Sequence, residues 1–165
     1  MKKLFCFILL VAASCTPVKK AQESYDAGLY ENTISICRAA LQSDSLNVEL
    51  QDVLAQAYFK TGKLDSAQYF AEQAFSNGQV SNSKELLYKI HLLYADSLNA
   101  QTKYRKARDE LDIALKLFPE EPRTIEKIGD TFHALGRYDS AAKEYQKALV
   151  FTPDSAEIKS YQTSN

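Results

Sequence analysis

The chain has 165 residues, enough for one domain with a continuous core. Its 20 Lys+Arg face 21 Asp+Glu, and removing Lys2 and Lys3 with the first fourteen residues leaves 18 against 21; that slightly acidic balance argues against a general attraction to nucleic acid. Five Gly and four Pro argue against a β-rich or disordered protein, and abundant Ala, Leu, Lys, Glu and Gln argue for helices.

Met1-Lys2-Lys3 is a short positive segment, followed by an apolar run from Leu4 to Ala13. A helical crossing of a hydrocarbon core needs about 20 residues. The shorter run suits a cleaved export signal over residues 1–14. Its end, Ala12-Ala13-Ser14-Cys15, resembles a bacterial lipobox. That resemblance implies cleavage before Cys15, diacylglycerol on its thiol and a tether over residues 15–20. The alternative is an ordinary signal cut near Ser14. More than one acyl chain gives stable anchoring, whereas a single chain does not. Thr16 stands after the Cys, where an inner-membrane retention Asp would stand, and no acidic residue follows directly. Both features point to a periplasm-facing outer-membrane lipoprotein. Cys6 lies in the signal and Cys15 would be acylated, so Cys37 has no partner for an internal disulfide.

The rest of the chain is periodic. Ala40, Ala74, Ala114 and Ala148 are separated by 34, 40 and 34 residues. The same steps join Ala21, Ala55, Ala95 and Gly129, then Thr33, Ala67, Ala107 and Ala141, then Tyr30, Leu64, Tyr104 and Tyr138. A turn ladder follows the same register: Gly28, Gly62, Thr102 and Gly136. Each copy holds two apolar-periodic stretches of helix length split by a short turn, and stacking of the pairs supplies the core.

Residue types within the period resemble the tetratricopeptide repeat. The last copy fits best, through Ile125, Ile128-Gly129, Phe132, Gly136, Tyr138, Ala141, Tyr145, Ala148 and Pro153. The first is degenerate, with only Ala21, Gly28, Tyr30 and Ala40 in place and Pro17 truncating its first helix. The resemblance implies an all-α solenoid of antiparallel helix pairs wound as a right-handed superhelix. Its units are a degenerate repeat over 18–47, repeats over 48–81, 88–121 and 122–155, and a capping helix and tail over 154–165. The six extra residues form an insertion or helix extension at 82–87. Asn77-Gly78 reads as a helix stop, Asn82 with Glu85 as a capping box, and Pro122 as a first helical residue.

The resemblance also implies that the first helix of each pair lines a concave surface. Projected onto that surface, the second copy presents Glu49, Asp52, Gln56, Phe59 and Lys60. The third presents Lys89, Leu92, Asp96 and Asn99, and the fourth Arg123, Glu126, Asp130 and His133. Steps of three or four residues keep each row on one helix face, either a solvated face or a groove for a peptide or partner helix. Asp52, Asp96 and Asp130 are expected at equivalent levels. Asp52 and Gln56 stand where relatives that clamp a C-terminal carboxylate would want Lys and Asn, which disfavours that ligand. The acid tilt suits a partner carrying Lys or Arg.

Glu126, Asp130 and His133 are spaced like one helix face but supply too few converging ligands for a metal. His91 at a packing position reads as a satisfied core histidine, and Cys37 as a buried inert thiol. No phosphate-binding glycine loop or nucleophile elbow stands in the sequence. The expected function is a membrane-tethered scaffold for an envelope protein, with no cofactor and no catalysis. A capture module for a small molecule or glycan is the alternative; it needs clustered groove aromatics, of which Phe59 is the one placed. An enzyme is the third reading.

Overall fold

The computed structural model describes residues 16–78 and 80–152. Cys15, Gln79, Pro153 and the expected capping helix lie outside the described residues. Eight helices occur among the described residues: α1 (Pro17–Asp26), α2 (Tyr30–Leu41), α3 (Val48–Lys60), α4 (Leu64–Gly78), α5 (Ser81–Ala100), α6 (Tyr104–Leu117), α7 (Pro122–Ala134) and α8 (Tyr138–Phe151). They form four antiparallel pairs stacked in chain order, an all-α solenoid. α3 touches α1 and α5 directly, so the first helices of the pairs make the inner layer.

The four within-pair turns are alike because their left-handed residue is fixed by the turn ladder. Gly28, Gly62 and Gly136 have φ of 75°, 75° and 71°, and Thr102 takes φ 59° at the equivalent place. In each, the next residue's N–H donates to a carbonyl five residues back: Leu29 to Ser24, Lys63 to Tyr58, Lys103 to Leu98 and Arg137 to Phe132. That bond closes a Schellman end and satisfies a carbonyl the helix leaves open.

The small-residue ladders are the contact lines within pairs. Ala21, Ala55, Ala95 and Gly129 are buried, as are Thr33, Ala67, Ala107 and Ala141, and Ala74, Ala114 and Ala148; Ala40 is half-buried. Side chains this short let helix backbones approach closely, and Leu54, Ile90, Leu111, Ile125 and Ile128 fill the space between them. Helix starts follow local chemistry. The Thr16 hydroxyl accepts from the Lys19 N–H at 3.3 Å, and the Asn47 side chain accepts from the Leu50 N–H at 3.0 Å. Pro17 and Pro122 occupy first helical positions. Pro17–Lys20, read from sequence as tether, are therefore the first turn of α1.

α4 ends at Gly78, but the Asn82–Glu85 capping box does not form. α5 starts at Ser81 behind Val80, with no side-chain cap, which leaves Asn82 inside the first turn. α5 has 20 residues where α3 and α7 have 13. All three end five residues after their ladder residue, so the seven additional residues lie at the start of α5, about two turns. The connection before α5 has two residues where that before α7 has four, and α4 has 15 residues where α6 has 14, which reconciles seven added residues with a 40-residue step.

Candidate protein-binding groove

Ten of the thirteen inner-layer positions have exposed or half-exposed side chains with polar or charged groups: Glu49, Gln56, Lys60, Lys89, Asp96, Asn99, Arg123, Glu126, Asp130 and His133. Phe59 is half-buried. Gln56, Phe59, Lys60 and Lys89 converge with Tyr25, Glu85 and Leu86 on a cleft of about 200 Å³ between α1, α3 and α5. Tyr25 puts a second aromatic beside Phe59 there. Its ring centroid lies 5.4 Å from that of Tyr30, and burial, followed by the nearby Tyr30 and two carboxylates, raises its hydroxyl pKa.

Two positions leave the groove face. Asp52 is 6% exposed; it accepts from the Ser83 hydroxyl, and from the Gln56 side-chain amide at 2.7 Å. The added turns of α5 bring Ser83 over it. Leu92 is equally buried, packed with Leu111, Ala114 and Ile128 beneath α6 and α7. The equivalence of Asp52 with Asp96 and Asp130 is also wrong in register. Asp96 and Asp130 directly follow Ala95 and Gly129, whereas Asp52 lies three residues before Ala55; Gln56 is the residue at their level.

Neighbouring repeats are stitched by the remaining polar groups. Lys127 donates to Asp96 at 2.5 Å, Asn99 to Thr131 at 3.4 Å, and the Tyr94 hydroxyl to Asp65 at 2.6 Å. Tyr145 donates to Asp130 at 2.8 Å, which raises the tyrosine pKa, and His133 meets the Tyr138 ring edge-on at 5.2 Å. Asp130 and His133 thus face separate partners on α8. Among the described residues no group of three metal-ligating side chains converges, and no helix is long and apolar enough to cross a membrane. His91 is buried with Nδ1 2.7 Å from Glu110. Cys37 is fully buried, and burial pushes its thiol up to about 11.

Sequence reasoning missed Tyr25, Glu85 and Leu86. The 40-residue step was the available signal for the last two, because it marks where an inner helix is lengthened.

Residues 92–156 match the tetratricopeptide repeat family. Over those residues the chain carries tetratricopeptide repeats. It is 28% identical over 137 residues to protein O-mannosyl-transferase TMTC1 of Homo sapiens, a match covering 81% of this chain and 15% of that protein. It is 22% identical over 122 residues to superkiller protein 3 of Schizosaccharomyces pombe, covering 73% and 9%. The chain therefore spans less than a fifth of the length of these curated relatives. Among solved structures, MamA superposes with a TM-score of 0.59 at 21% identity, covering 86% of this chain and 79% of that one. A D159K mutant of MamA gives 0.54 at 18% identity, covering 82% and 76%. These likenesses establish the fold, and tetratricopeptide repeats form a protein–protein interaction scaffold.

Proposed function

We propose that this chain is a lipid-anchored, non-catalytic scaffold of the bacterial envelope, tethered to the outer membrane through Cys15 and facing the periplasm. Its inner helix layer holds a segment of another envelope protein. The observation that carries the binding reading is the cleft between α1, α3 and α5, where Tyr25 and Phe59 stand among Gln56, Glu85, Lys60 and Lys89. Apolar anchors inside a polar rim suit a peptide or helix whose side chains alternate in character. Exposed Glu49, Asp96, Glu126 and Asp130 extend the polar layer from there among Lys89, Arg123 and Lys127, and these acids are the contacts offered to a partner's Lys or Arg. The anchor reading rests on the positive segment, the apolar run and the lipobox-like Ala12-Ala13-Ser14-Cys15. The presence of both Tyr25 and Phe59 in the lining of this cleft supports the glycan reading, which places the ligand there.

Crosslinking in the native host, followed by recovery of the anchored chain, tests the binding reading. Asp96→Lys with Asp130→Lys should abolish partner capture and retain the helical content at a modestly lowered melting temperature, because the reversals also remove the bonds from Lys127 and Tyr145. Capture in the unaltered chain should weaken as salt screens charges beyond about 8–10 Å. Capture that survives the double reversal, but is lost when exposed Lys106 and Lys143 on the outer helices are reversed, would move the site to the convex face. Cys15→Ser should shift the protein from the membrane fraction to a soluble one. Unchanged membrane association with no loss of acyl label would end the anchor reading.

A further inference from the structure

A second and larger groove, about 840 Å³, opens where α1, α3 and α5 begin. Its volume is within the range of small-ligand sites, roughly 300–1,000 Å³. Val18, Leu50, Val53 and Val80 give it apolar walls, Asp44 and Glu49 stand at it, and the buried residue Asp52 is part of its lining. Among the described residues no Lys, Arg or His pairs with Asp52. Lys19 is the one cation lining the groove, and it sits 3.8 Å from Glu23.

A buried carboxylate without a counter-cation is costly, and hydrogen bonds from neutral groups offset only part of that cost. The fold nevertheless holds this one in place. The Ser83 hydroxyl and the Gln56 amide both donate to it, and Ser83 belongs to the two turns by which α5 exceeds its counterparts. The same lengthened start of α5 supplies Asn82 to the wall. A lysine side chain fits this arrangement chemically: its apolar stem lies along aliphatic walls while its charged head meets a fixed anion.

We propose that this groove receives a lysyl side chain of a partner protein segment, with the ammonium on Asp52 and the stem against Leu50, Val53 and Val80. The assignment rests on the scaffold reading and adds a second contact site outside the Tyr25–Phe59 cleft. Ser83 acts on the ligand only through Asp52 and is a positioning residue.

The test is an NMR titration of the isotopically labelled full chain with acetyl-Leu-Lys-Leu-amide and with its norleucine analogue, which keeps the stem and loses the charge. Saturable shifts at residues 50–53 with the lysyl peptide are expected, with at least about tenfold weaker binding of the analogue. Asp52→Asn can still accept from Ser83, and it should weaken the lysyl peptide at least about tenfold while the dispersed spectrum of the folded chain is retained. Ser83→Ala should weaken it by less. Equal affinity for the two peptides, or unchanged affinity in Asp52→Asn, overturns the assignment. So do lysyl-peptide shifts confined to the Tyr25–Phe59 cleft. Groove shifts that follow protein concentration without peptide assign the groove to a second copy, and groove amides that no peptide perturbs show that it receives no lysyl side chain; both overturn the proposal. Host partner capture abolished by the Asp96 and Asp130 reversals, with no lysyl binding in the groove, would leave the scaffold reading standing alone.

Discussion

The ring of Tyr145 occupies the space that a side chain on Gly129 would need: a Cβ there would lie 2.5 Å from Tyr145 Cε1. The Tyr145 hydroxyl is held by Asp130, the residue next to Gly129, so the ring cannot move away without giving up that bond. Helix propensity alone favours replacing Gly by about 1 kcal/mol at most, while overpacking costs about 1–3 kcal/mol. Gly129→Val, with its larger volume and poorer helix propensity than Ala, should therefore destabilise the chain by at least about 1 kcal/mol in urea unfolding. In ultraviolet titration, Asp130→Asn should lower the pKa of one tyrosine toward the ordinary value, because the carboxylate that retains its proton is gone.

Ala148 and Ala141 on α8 are 1% and 2% exposed. Leu at either site forces α8 away from its neighbour, and each change should cost about 1–3 kcal/mol. Losses below about 0.5 kcal/mol at both sites would be incompatible with their place in the contact line.

Thr102 is the one non-glycine residue with positive φ among the described residues. A β-branched side chain in the left-handed region costs about 1–2 kcal/mol, and glycine removes that strain while adding some unfolded-state entropy. Thr102→Gly should raise stability by roughly 0.5–1 kcal/mol and raise the melting temperature. A lower melting temperature would show that Thr102 contributes more through contacts than its backbone loses.

Burial holds the Cys37 thiol protonated up to about 11, so it should resist alkylation at pH 8 in the folded chain and react at once in denaturant. The unfolded thiol loses its proton near pH 8.5, so above that value the unfolded state binds fewer protons than the folded one. Stability contributed by the protonated thiol is thus present below about pH 8.5 and declines as pH rises toward 11, by roughly 3 kcal/mol in all. Between pH 7 and 9.5, Cys37→Ala should show a flatter loss of stability than the parent chain.

The repeat architecture was legible in the sequence because its two requirements each leave a single-residue mark. A close helix contact demands Ala or Gly at one position, and a left-handed turn selects Gly, so Ala55 has an Ala or Gly counterpart in every copy and Gly62 a Gly counterpart in all but the third. Even Thr102 kept its place in the turn ladder against its own backbone preference. The groove was less legible, because whether a helical residue faces solvent depends on what the next repeat lays over it. Asp52 has the spacing of an open-face residue, and only the added turns of α5, carrying Ser83, bury it. Leu92 is covered in the same way by α6 and α7. Tyr25 stood in the most degenerate copy, where too few ladder residues fixed its orientation.

Among the described residues the buried hydrophobic side chains fall into two clusters that meet across a single helix: Leu87, Ile90 and Tyr94 on one face of α5 serve one cluster, and Tyr88, Leu92 and Ala95 on another face serve the second. A helix that gives one face to each cluster behaves as a splice rather than a hinge, since neither cluster can melt without fraying the helix that both share. Strain applied at one end of the array is then transmitted through α5 to the other, and the four pairs should resist pulling as one stiff element. Breaking that shared helix, for instance with Pro in place of His91, should loosen both clusters together and lower one common unfolding transition.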